Sequence, residues 1–163
     1  MLKPSIERIP CKHIVVNGFD SPQTQETVEA AFSVGCALSS EKITLVEEIS
    51  ESRVAVSVDD DRSLRKATLR KEKIDREEKI RVTDIIKKIP LAKTKRLKWE
   101  TQSIFGSRGY SIGHYARVVR ADLLIMNAQE KPRFYHRFFP QDLEHILAEL
   151  PTDVLIIQSK KNG

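Results

Sequence analysis

Long apolar runs are missing from this sequence. In 163 residues none approaches the roughly 20 that a membrane-spanning helix needs, so no direct membrane insertion is expected. The opening "MLKPSIERIPCKH" is charged throughout and has no apolar core, so it does not read as a secretory signal. Cysteine is scarce. Cys11 and Cys36 form neither a disulfide framework nor a metal-ligand spacing, and each reads as a reduced, buried small hydrophobe. The four histidines, His13, His114, His136 and His145, show no pairing at ligand spacing, so no metal is expected. Ser107 and Ser111 have no identifiable base, which removes support for nucleophilic catalysis. The expected compartment is cytoplasmic, and the expectation is a protein that is not an enzyme.

What is present fits a globular fold. Forty per cent hydrophobic and 31% charged residues argue against disorder, and the length suits a single domain over 1–163. The net charge of +5 is unevenly spread. Asp59 to Lys98 carries 15 basic and 8 acidic residues, while the rest of the chain is slightly acidic. Within that segment lysines and arginines alternate with Glu72, Asp75, Glu77 and Glu78, and Trp99 is the only nearby aromatic. This reads as a solvated helix face or a mobile, protruding arm, and not as a nucleic-acid interface.

Elements alternate along the chain. "KHIVVN" (Lys12 to Asn17) is an apolar strand ended by Gly18. A helix follows, with Ser21 as its cap, Pro22 in its first turn, and Val28, Ala31, Phe32 and Gly35 on one face. "KITLVEEI" (Lys42 to Ile49) is a second strand, and "RVAVSV" (Arg53 to Val58) a short extra strand or an extended loop. Asp59 to Asp61 favours a helix start. From Ser63 to Ile89 the pattern is helical, with Val82, Ile85, Ile86 and Ile89 inward, until Pro90 stops it. "RLKWETQSIF", a helix over Ser107 to Val119, "ADLLIM", a helix over Pro140 to Leu150 and "TDVLIIQ" complete the order. Five strands alternating with helices imply a three-layer α/β/α domain around a parallel sheet, with a ligand crevice at the carboxyl ends of the strands. "SRGYSIG" (Ser107 to Gly113) opens a helix; it reads as a tight turn, with an anion site as the alternative.

The stretches "HIVVNGFDSPQTQETVEAAFSVGCALSSEKITLVEEI", "GSRGYSIGHYARVVRADLLIMNA" and "QDLEHILAELPTDVLII" together resemble the universal stress protein (UspA-like) family. The resemblance covers Lys12 to about Ile49 and about Leu97 to Gln158; the charged middle matches only in being helical. It implies a five-stranded parallel sheet of order 3-2-1-4-5 in the adenine nucleotide alpha hydrolase-like superfold. It further implies a stress-related role and homodimerisation through the last strand. Domains of this type are also found fused to membrane transporters, so a cytosolic regulatory domain of a transporter is the alternative.

Many members of that family hold ATP on a loop after the fourth strand, built on three glycines and a Ser or Thr. Laid on this sequence without a gap, those positions are Asn127, Glu130, Pro140 and Gln141. None is kept. Glycines in such a loop bring backbone N–H groups to the phosphates, whereas Pro140 has no N–H and Glu130 would set a carboxylate beside them. The family's acidic residue after the first strand falls on Phe19, with Asp20 one position late. No bound cofactor is therefore expected. Lys131, Arg133, His136 and Arg137 interleave with Phe134, Tyr135, Phe138 and Phe139. The aromatics read as packing groups; the alternative is a modified phosphate loop in which Arg133, His136 and Arg137 contact an anion.

The last strand lies at the sheet edge if the implied order holds. Val154, Leu155, Ile156 and Ile157 then offer a proline-free edge to a second copy of the chain. The partners expected are that second copy and a protein or transporter.

Overall fold

The computed structural model describes residues 10–18, 21–54, 60–106, 110–127 and 152–157. Five strands form one parallel sheet: β1 (His13–Asn17), β2 (Lys42–Ile49), β3 (Lys98–Phe105), β4 (Leu123–Asn127) and β5 (Asp153–Ile157). Their order is β3-β2-β1-β4-β5, as the resemblance implies. β1 is central, with Ile14 level with Ile43 on one side and Leu123 on the other. Its residues are apolar on both faces because both faces are covered.

Alternate residues serve two cores. Ile14, Val16, Ile43, Leu45 and Ile125 face α1 (Thr24–Leu38) and α2 (Asp61–Lys87), meeting Val28, Ala31, Phe32, Val82, Ile86 and Ile89. Val15, Val46, Leu124 and Met126 face α4 (Tyr110–Val118) through Ile112 and Ala116. Of the inward positions read from the sequence on these helices, Val28, Ala31, Phe32, Gly35, Val82, Ile86, Ile89, Ile112 and Ala116 are buried, and Ile85 is partly so. The helix over Pro140 to Leu150 lies outside the described residues. Gly35 has a specific task in α1: a Cβ there would come within 2.9 Å of Leu97 Cδ1 and 3.3 Å of Ile43 Cδ1. Its missing side chain lets the helix lie close on the sheet.

Several readings need correction. Ser21 does not cap α1; Gln23 holds that position without a side-chain bond, and Pro22 precedes the helix. Arg53 belongs to no strand, because Glu51–Arg53 is a 3-10 turn whose start is capped by the Ser50 hydroxyl accepting from Ser52 N. Residues 55–58 of that stretch lie outside the described residues. Leu91–Thr94 forms a short helix, α3, that the sequence does not announce; Pro90 ends one helix and opens the next. Cys11 and Cys36 are free but half-buried, packed at the margin of the larger core. Burial pushes the Cys11 thiol up.

The charged helix is continuous from its cap. Asp60 accepts from Ser63 N at 2.7 Å, the N-terminal role read for the aspartate run. At 27 residues α2 is about 40 Å long, against about 26 Å for an eight-residue strand, so it overshoots the sheet. A third small core holds its first half: Ala67 and Ile74 pack on Ile49 and Val54, with Phe105 beside them. Lys71 lies over the Phe105 ring at 5.3 Å. The inner face is anchored and the outer face is solvated.

Candidate ligand crevice at the carboxyl ends of the strands

In a sheet of this order the direction in which strands are added reverses between β1 and β4, and ligands of such folds sit outside the carboxyl ends of those strands. β1 ends in the nearly buried Asn17 and then Gly18, whose N–H donates to the Val46 carbonyl at 2.8 Å. A Cβ on Gly18 would stand 3.3 Å from that same oxygen, so glycine suits this close approach. β4 ends in Asn127, whose Nδ2 donates to Ser21 Oγ at 2.9 Å. Ser21 Oγ lies 3.1 Å from Thr24 Oγ1, which also accepts from Ser21 N. Asn127 therefore spans the mouth of the crevice and ties β4 to the turn ahead of α1.

Two carboxylates end β2, and they point to opposite faces because strand residues alternate. Glu47, toward α2, meets Arg81 Nη2 at 2.5 Å. The same nitrogen donates to the Gly18 carbonyl at 2.6 Å, and Arg81 Nε reaches Glu78 Oε2 at 2.8 Å. Arg53 closes the chain on Glu78 Oε1 at 3.2 Å. One guanidinium thus holds the ends of β1 and β2 to α2. Glu48, toward α4, accepts from Ile112 N at 2.7 Å. Its carboxylate sits at the first turn of the helix, where the N–H groups have no partner within the helix and the dipole has its positive end. The anion at the start of this helix is thus internal. Residues 107–109 of the same stretch lie outside the described residues.

An open groove of about 300 Å³ runs beside this network, lined by Ser21, Thr24, Gln25, Arg81, Ile85 and Lys88 among others. Gln25 Nε2 reaches the Ile85 carbonyl at 3.4 Å, and its buried Oε1 has no partner among the described residues. The groove offers hydroxyls, an amide, the cations Arg81 and Lys88 and the Asp84 carboxylate, a set suited to polar groups.

Of the residues singled out from the sequence, Asn127 belongs to this crevice. It is in extended strand conformation, not the left-handed one a loop glycine would take. Asp20, Glu130, Arg133, His136, Arg137, Pro140 and Gln141 lie outside the described residues, as does His145. His13 is half-buried, with Nε2 2.8 Å from Thr44 Oγ1, and burial holds its imidazole below the usual range. His114 stacks on Tyr110 at 6.3 Å. Among the described residues no group of three or more His, Cys, Asp or Glu side chains could hold a metal ion, and no helix is long and apolar enough to cross a membrane.

Sequence reading missed Glu47, Glu48 and Arg81. A signal was present: two carboxylates close an otherwise apolar strand, and Arg81 stands beside Val82 in the inward stripe of α2. Charges in such places need partners.

No protein-family profile and no curated protein sequence matches the chain. Solved structures do. UspA from Lactobacillus plantarum superposes with a TM-score of 0.63 at 15% identity, over 91% of this chain and 99% of that one. A universal stress protein in complex with cAMP gives 0.62 at 13% identity, over 93% and 100%. The universal stress protein from Archaeoglobus fulgidus in complex with dAMP gives 0.53 at 12% identity, over 90% and 96%. The fold is that of the universal stress proteins.

Proposed function

We propose that this chain is a UspA-like cytoplasmic regulatory or stress-response protein. It acts without catalysis, through dimerisation and partner binding, and does not hold ATP. The observation that carries this reading is the loop after β4. Where the resemblance places three glycines and a hydroxyl residue, this chain has Asn127, Glu130, Pro140 and Gln141. The position of Asn127 supports it further, since its amide is engaged with Ser21.

A second reading is favoured by the neighbours solved with cAMP and with dAMP. The groove beside Arg81 would then take a nucleoside monophosphate, whose single phosphate needs no glycine loop. Calorimetry with ATP, AMP and cAMP separates the two. No heat of binding is expected from any of them at concentrations up to about 1 mM. Micromolar ATP binding defeats the first reading, and AMP or cAMP binding without ATP binding establishes the second.

The dimer is proposed through β5. Among the described residues this strand is an edge of the sheet, paired on one side by β4, and Ile156 is 41% exposed. An apolar, proline-free edge is a template for a second strand, and a two-fold pair closes it. A dimer is therefore expected in analytical ultracentrifugation at about 10–50 µM. Ile156→Pro should give monomers or aggregates, because proline removes a backbone donor and clashes within a paired strand. A wild-type monomer at those concentrations refutes the proposal.

A further inference from the structure

The outer face of α2 is patterned in a way that its packing does not require. Arg62, Lys66, Leu69, Lys73, Arg76 and Ile80 recur at spacings of four, three, four, three and four. They form one stripe on the side away from the buried Ala67, Ile74 and Val82. All six are exposed, Leu69 at 55% and Ile80 at 63%. The stripe contains no acidic residue and is about 27 Å long.

Its charge is not neutralised internally at the leading end. Among the described residues Arg62 and Lys66 of the stripe make no ion pair, nor do Arg65 and Arg70 on its flanks. Further along, Lys73 meets Glu77 at 3.8 Å and Lys79 meets Asp75 at 2.8 Å. Cations near a helix N-terminus also oppose the helix dipole. Asp60 and Asp61 serve the helix start, but these cations do not, which points to a contact made outside the chain.

We infer that this stripe docks α2 flat on an anionic phospholipid surface. Charge complementarity calls for an anionic partner, and three features choose among such partners. Four to eight Lys and Arg on one helix face suit an acidic headgroup layer, with aliphatic side chains entering the headgroup boundary beside them. A partner helix would bury cations at four of the six seam positions. A single-stranded nucleic acid would want aromatic rings for stacking, and Asp61–Lys87 contains none. The contact is peripheral, made by a helix that stays packed on its own sheet, and it does not depend on what the crevice holds.

The test is flotation of the whole chain with vesicles of phosphatidylcholine alone or with about 30% phosphatidylserine, at about 0.05 M and 0.5 M salt. Binding is expected only to the serine-containing vesicles and only at low salt. The triple variant Lys66→Gln, Lys73→Gln, Arg76→Gln should bind about 100-fold more weakly. The pair Leu69→Ser, Ile80→Ser should weaken binding about tenfold or more. Unchanged thermal melting of both variants confirms that these surface changes leave the fold intact. The inference is overturned if wild type ignores acidic vesicles at low salt. It is equally overturned if the triple variant binds them as well as wild type, or if a DNA or RNA oligonucleotide is held more tightly than the vesicles and indifferently to the Leu69, Ile80 pair.

Discussion

Replacing Arg81 by methionine is expected to destabilise the fold by about 3 kcal/mol, toward the lower end of what breaking a buried ion pair costs. The lower end applies because the Arg81 side chain is itself 22% exposed, whereas Glu47 is 6% exposed. The loss comes from what remains. Glu47 would stay in the sheet without its guanidinium, the Gly18 carbonyl would lose a charged donor, and Glu78 would keep only the longer contact from Arg53. Chemical denaturation of the two proteins measures the difference directly. Adding Glu47→Leu to Arg81→Met should return most of the lost stability, because a buried pair replaced by apolar groups of similar size is often neutral. A single variant as stable as wild type would mean that the network contributes nothing to holding α2 on the sheet.

That network shows where sequence reading stops. The strands are legible because a parallel sheet covered on both faces favours short β-branched and apolar runs, and "KITLVEEI", apolar at Ile43, Leu45, Val46 and Ile49, coincides with β2 from Lys42 to Ile49. The inward faces of α1, α2 and α4 follow from spacing alone. By contrast, periodicity starts "RVAVSV" as a strand at Arg53, yet Ser50 caps a 3-10 turn over Glu51–Arg53, and a local side-chain bond outweighs periodicity at that residue. The leading half of α2 has too few apolar residues to read as anchored. Ala67 and Ile74 suffice because Ile49, Val54 and Phe105 wait for them at the strand ends. Long-range pairing of Glu47 with Arg81, or of Glu48 with the start of α4, leaves no mark at any fixed spacing. Polar groups of a crevice are brought together by topology, so from sequence one sees the residues and not the meeting. Asn127 is the instructive case. Alignment by spacing finds the position but treats it as a failed glycine, while the structure gives its amide a partner in Ser21.

The second large effect belongs to the opposite kind of interaction. Phe32→Ala should cost about 3–5 kcal/mol, the usual loss for deleting a buried aromatic ring. Phe32 is fully buried on α1, in the core that also holds Ile14, Ile43, Leu45, Val82, Ile86 and Leu97. Gly35 already brings this helix as close to the sheet as Leu97 and Ile43 allow. The backbone therefore has little room to collapse into the space left by the ring, which places the expected cost in the upper part of that range. Phe32→Leu keeps most of the apolar contact and should lose about 1.5 kcal/mol or less. Leu69→Ala, on the exposed stripe of α2, should stay within about 0.5 kcal/mol of wild type. Denaturation midpoints should therefore fall in the order Leu69→Ala, Phe32→Leu, Phe32→Ala from most to least stable. If Phe32→Ala melts with Leu69→Ala, the space beneath α1 can close after all, and the core around Gly35 is looser than its contacts require.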